Sequence, residues 1–127
     1  MSSAGERLRV QARLAPDRVV LELHGELDLS VAPLLAEEIE RAERGERKAL
    51  VLDLGELEFI DSAGLRVILA AQERAATTGR EFAVTNGTQQ VQRLFEIAGV
   101  GQHLQTIGAP DATLVKPGGD AGASRPA

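Results

Sequence analysis

The 127-residue chain contains no cysteine, no tryptophan and no tyrosine. Without thiols, disulfide staples, thiol nucleophiles and thiolate metal sites are excluded. The aromatic content is three phenylalanines, Phe59, Phe82 and Phe95, which provide no platform for stacking bases. A net charge of −5 repels a phosphate backbone, so nucleic acid is not an expected partner. Two histidines, His24 and His103, are too few for a histidine metal site without carboxylate help, and neither a metal nor a cofactor is expected. No uncharged apolar run approaches the ~20 residues needed to span a bilayer; even 67–71 is flanked by Arg66 and Gln72. The first nine residues include Glu6, Arg7 and Arg9 and lack the apolar stretch of a signal peptide. The resulting expectation is a cytoplasmic protein that does not engage a membrane.

What is present is the balance of a folded globular domain, 43% hydrophobic and 26% charged. The length supports one core and not two. In the first strand Leu8, Val10, Ala12 and Leu14 alternate with polar residues, which gives it one buried face. A second strand over 19–24 follows the turn Ala15-Pro16-Asp17-Arg18 and closes an antiparallel hairpin. The spacing of Val31, Leu34, Leu35, Ile39 and Ala42 predicts a helix, with Ser30 as N-cap, Pro33 in the first turn and Gly45 past the end.

The continuous apolar run 49–52, ending at Asp53, predicts a central parallel strand covered on both faces. A largely apolar helix over 62–78 is closed by Gly79, and a short strand over 82–84 follows. Thr88 caps a third helix carrying Val91, Leu94, Phe95 and Ala98 on one stripe until Gly99. A last strand is expected over 104–107, and at most one helical turn over 111–115. Beyond it, 116–127 offers nothing large to bury and reads as a disordered tail. The fold class is α/β: a single domain over 6–115 with a mixed, mostly parallel sheet of about five strands. Its helices lie on crossovers expected to be right-handed.

Ligands and partners of open α/β sheets gather at the carboxyl ends of strands. Two polar segments fall there: Gly25-Glu26-Leu27-Asp28 after the second strand, and 55–64 after the third, with Phe59 and Ile60 tucking the latter onto the core. Because one crossover joins the two strands, the segments are expected to form one surface. Asp61-Ser62-Ala63-Gly64 opens a helix, where unsatisfied amides and the positive dipole end receive an anion well. Asp61 or Ser62 is equally read as a plain N-cap. The local sequence leaves both roles open.

Phe59-Ile60-Asp61-Ser62-Ala63-Gly64-Leu65, with Gly25-Glu26-Leu27-Asp28 upstream and Val91-Gln92-Arg93-Leu94-Phe95-Glu96-Ile97-Ala98-Gly99 downstream, resembles the three signatures of the STAS family, specifically its anti-sigma-factor antagonists. The resemblance covers roughly 8–115. It implies a non-enzymatic switch whose serine, at the position of Ser62, is phosphorylated by an anti-sigma factor that is itself a serine kinase of GHKL type. The unphosphorylated form would bind that kinase and free the sigma factor; a PP2C-type phosphatase would reverse the modification. The partner-binding residues implied are Gly25, Glu26, Asp28, Asp61, Ala63, Gly64 and Leu65. Ala63 departs from the family pattern, which has a second serine there, and leaves Ser62 as the sole acceptor within the motif.

Three rival readings stand beside this one. A response-regulator receiver would use Asp53, but requires an acidic pair after its first strand and a lysine after its last, where Leu14-Ala15-Pro16 and Ile107-Gly108-Ala109 stand. A serine hydrolase built on Ser62 requires a glycine where Ile60 stands; His24 alternates with strand residues as a solvated or hydrogen-bonded side chain does, and His103 sits in a loop without an evident acidic partner. The third rival is a STAS subunit of an ABC-type lipid transporter or of a stress-sensing assembly.

Overall fold

The computed structural model describes residues 2–4 and 7–115, with side chains from residue 7 onward. The expected tail, 116–127, lies outside the described residues. The strands are β1 (Ser2–Ala4), β2 (Leu8–Leu14), β3 (Arg18–Leu27), β4 (Ala49–Ile60), β5 (Glu81–Thr85) and β6 (Thr106–Ile107). The helices are α1 (Ala32–Glu43), α2 (Ser62–Thr78) and α3 (Gln89–Ala98). The strands lie in the sheet in chain order. β1 to β3 are antiparallel, and β3 to β6 run parallel. Parallel neighbours need a long crossover, which α1, α2 and α3 supply. The expected five-strand mixed sheet is thus present, extended by the three-residue β1 on the edge of β2.

All three helices cover one face. Leu8, Val10, Leu21, Leu23, Leu50 and Leu52 of the strands meet Leu35 and Ile39 of α1, Leu65 and Ile68 of α2 and Val91 of α3 in one core. The other face carries Val20, Val51, Ala83 and Ile107 beneath Ala112 and Leu114. The run 49–52 is apolar at every position because helices cover Leu50 and Leu52 while the 109–115 segment covers Val51. Buried Arg18 holds that segment in place, donating to the carbonyls of Pro110 (3.0 Å) and Ala112 (2.8 Å). No helix among the described residues is long and apolar enough to cross a membrane.

Several boundaries differ from the sequence reading. Gly25, Glu26 and Leu27 belong to β3, and 55–60 belongs to β4, so neither is a loop. Pairing continues through register shifts between Glu22 and His24 and between Gly25 and Glu26. Bulges insert residues without a partner, which is why the buried side chains Leu54, Leu57 and Ile60 fall three apart instead of two. With the alternation broken, the segment does not look like a strand. Phe59 is exposed and does not anchor this segment; Ile60 is buried and does.

Ser30 does not cap α1, whose N-cap is Val31 with no side-chain bond. The turn is built on Asp28, whose carbonyl accepts from the amides of Val31 (3.1 Å) and Ala32 (2.9 Å). The last strand shortens to β6 because Leu104 is used in the turn after α3, and 111–115 forms no helix. Asp61, Gly79, Thr88 and Gly99 bound α2 and α3 as their residue types suggest, with both glycines in the left-handed region.

Candidate functional site

The ends of β3 and β4 converge at the first turn of α2, and Asp61 ties them together. Its amide donates to the Leu27 carbonyl at 3.1 Å, which completes the β3–β4 pairing. One carboxylate oxygen caps α2 by accepting from the Gly64 amide at 3.0 Å; the other accepts from the Leu29 amide, 3.1 Å away in the β3–α1 turn. The two segments that the sequence placed after neighbouring strands are therefore joined through one carboxylate. Ser62, the first residue of α2, is exposed beside this bridge.

Beneath the surface the fit is tight. A Cβ on Gly64 would lie 2.5 Å from Leu27 Cγ and 3.1 Å from Ile60 Cγ1, so only glycine lets the first turn of α2 approach the sheet this closely. Gly25 has φ +103°, and a Cβ there would lie 2.2 Å from the Arg7 carbonyl oxygen. Ala63 and Leu65 are buried. Of the residues that the family resemblance marks as partner-binding, Gly25, Gly64 and Leu65 thus shape the surface from below, whereas Glu26, Asp28 and Asp61 put carboxylates on it.

Asp28 is held on both sides. One oxygen accepts from the Ser30 hydroxyl (2.7 Å) and amide (3.0 Å), and the other faces the Arg7 guanidinium at 3.3 Å. The Ser30 hydroxyl chiefly, with the Ser30 amide and the charge of Arg7 adding to it, holds the Asp28 carboxyl below the usual carboxylate range against the opposing effect of desolvation. Arg7 also reaches Glu26 at 3.0 Å. Arg7 is a site residue the sequence analysis missed, because it meets Glu26 only through the register of β2 against β3, 19 positions away in the chain. Leu29 was missed too. It is 72% exposed beside Asp61 and lines a shallow, largely apolar groove of about 940 Å³ between α1 and α2, with Ala32, Ala63, Arg66 and Val67.

The residues of the rival readings lie elsewhere. The Asp53 carboxylate accepts from the Thr85 hydroxyl (3.0 Å) and the Gly55 amide (3.1 Å), which ties β4 to β5 below the bulge. His24 has Glu22 as its nearest acid, 3.6 Å away along β3. Among the described residues no hydrogen bond joins Ser62 to either histidine, and no group of three potential ligands could hold a metal ion.

A mixed sheet with its helices on one face, and a second helix that Asp61 caps immediately before Ser62, define a small single-domain α/β protein. Residues 10–108 match the family described as Mlab, STAS domain, and the chain belongs to this STAS family. The family's domains are non-enzymatic. The chain is 32% identical over 83 residues to the anti-sigma F factor antagonist of Paenibacillus polymyxa, covering 65% of this chain and 71% of that protein. It is 39% identical over 66 residues to BtrV of Bordetella bronchiseptica, covering 52% of this chain and 56% of BtrV, so the match spans little more than half of that relative. The crystal structure of an anti-sigma factor antagonist from Mycobacterium paratuberculosis is similar with a TM-score of 0.76 at 25% identity, over 86% of this chain and 92% of that one.

Proposed function

We propose that this STAS domain is an anti-sigma-factor antagonist controlled at Ser62. The observation that carries the proposal is the Asp61 bridge, which joins the β3–α1 turn to the start of α2 with the exposed Ser62 next to it in the chain. Glu26, Asp28 and Asp61 supply the charge of that surface, Ala63 its apolar margin, and Gly25, Gly64 and Leu65 its shape. The names of the sequence relatives point to the partner, an anti-sigma factor. The serine-kinase activity of that partner, of GHKL type, and the opposing PP2C-type phosphatase are the finer parts of the reading. In the transfer, Ser62 Oγ passes its proton to a base of the kinase and bonds the γ-phosphorus of ATP as the bond to the ADP leaving group breaks. The chemistry belongs to the kinase.

Phosphoserine adds about −1.5 to −2 charges near neutral pH. The helix N-terminus favours an anion by roughly 0.3–1 kcal/mol, and the adjacent Asp61 carboxylate opposes it, so the fold is nearly indifferent. A partner fitted to a neutral hydroxyl among three carboxylates is not. A loss of about 3 kcal/mol at that interface weakens binding by roughly two orders of magnitude.

Calorimetry with the cognate anti-sigma factor tests this. Ser62→Ala is expected to bind tightly and Ser62→Asp poorly, with both melting within a few degrees of the wild type. Equal, tight affinities would remove Ser62 from control of the complex. Phosphate mapped by mass spectrometry to Ser30, Thr85 or Thr88, with Ser62 unmodified, would overturn the assignment. Recovery of an ABC ATPase in place of a kinase from a pull-down would instead favour the transporter-subunit reading.

A further inference from the structure

Arg66 stands four residues after Ser62 on α2, and both are exposed. Side chains at i and i+4 lie over one another on a helix, and the order acid first, base second is the favourable one. On α2 the other positions three or four from Arg66 are Ala63, Leu69 and Ala70, none able to pair with a guanidinium. Among the described residues the Arg66 side chain makes no hydrogen bond or ion pair, whereas Arg7 is committed to Glu26 and Asp28, and Arg74 to Glu43. Asp61, the acid nearest Ser62 in the chain, is occupied by the Gly64 and Leu29 amides. Glu73 and His103 are the other titratable groups lining the α1–α2 groove, Glu73 two turns farther along α2. Arg66 is thus an uncommitted cation on the rim of an apolar groove, one turn from the serine.

We propose that Arg66 is the intramolecular counter-ion of the Ser62 phosphate. In the unmodified protein its charge faces the groove and solvent. Once Ser62 carries a phosphate, the guanidinium turns toward it and forms charge-assisted hydrogen bonds. Phosphorylation then changes the surface twice: it adds negative charge at Ser62 and withdraws positive charge from the groove. This rests on the reading of Ser62 as the modified residue.

The test uses phosphoserine installed at position 62 during synthesis, which needs no kinase. Phosphorus NMR titration at low salt follows the second phosphate ionisation in the wild type, Arg66→Lys and Arg66→Gln. The wild type is expected to titrate about 0.3 unit lower than Arg66→Gln, with Arg66→Lys between them, and the Arg66 Nε–H resonance is expected to shift when Ser62 is phosphorylated. Identical titrations in the wild type and Arg66→Gln, with an unmoved Arg66 resonance, would overturn the proposal. Thermal melting of each variant shows that it is folded. A failure of the switch itself would appear separately, as an anti-sigma factor that binds both forms equally.

Discussion

Asp61→Ala removes the side chain that joins the two halves of the site, and its cost follows from two hydrogen bonds. The first, from the Gly64 amide at 3.0 Å, is the N-cap of α2; replacing such a cap by alanine costs about 1 kcal/mol. The second, from the Leu29 amide at 3.1 Å, is made to a charged acceptor. Such bonds contribute about 1.5 kcal/mol or more when shielded, but Leu29 is exposed and its amide can rehydrate, so about 1 kcal/mol is the better figure here. The sum is about 2 kcal/mol, which for a domain of this size lowers the melting temperature by roughly 8 °C. Asp61→Asn keeps one acceptor oxygen and remains a good cap, and should lose about half as much. Differential scanning calorimetry supplies both values. If Asp61→Ala melts within about 2 °C of the wild type, or if Asp61→Asn is the more damaging, the bridge is not what holds the β3–α1 turn against α2.

The remaining predictions concern the surrounding frame. Gly64→Ala gains about 1 kcal/mol of helix propensity but forces a methyl to 2.5 Å from Leu27 Cγ; overpacking of this kind costs about 1–3 kcal/mol, so the urea midpoint should fall, and a rise would show that the first turn is loosely packed. Asp28 and Asp17 both have carboxyl pKa values lowered by folding, Asp28 chiefly by the Ser30 hydroxyl and Asp17 chiefly by hydrogen bonding to Arg18. The unfolded chain therefore takes up protons first, and a contribution fully present above about pH 4 is lost as the solution is acidified below it. An acid titration of the melting temperature should show Asp28→Asn flattening that slope, and an unchanged slope would refute the assignment. Arg18→Met should free the 109–115 segment while sparing the helices, visible as faster amide exchange at Ala112 with little change at Ile68.

α2 was the most legible part of the chain in sequence. Asp61 and Gly79 are residue types that act locally, one accepting amides within its own turn and the other adopting a positive φ, so no distant contact is needed to recognise them. The same holds for Thr88 and Gly99 around α3. Ser30 misled for a related reason. It is a good cap by type, but Asp28 two residues earlier holds its hydroxyl at 2.7 Å and starts the turn itself.

The site was legible as two segments and one exposed serine, because the βαβ connection between β3 and β4 makes those strand ends neighbours whatever the side chains do. Chain chemistry alone thus determined the α/β class, the order of the elements and the helix that opens at Asp61-Ser62, whereas the resemblance to the STAS family singled out Ser62. Tertiary structure alone decided how far the strands run, since register shifts turn a two-residue repeat into the three-residue spacing of Leu54, Leu57 and Ile60. It decided that Arg7 pairs with both Glu26 and Asp28, that the second carboxylate oxygen of Asp61 reaches Leu29, and that Gly64 is present to admit Leu27. Each of these depends on distances between residues about 20 or more positions apart, which strand register and the packing of the helices against one face of the sheet set and local preference does not.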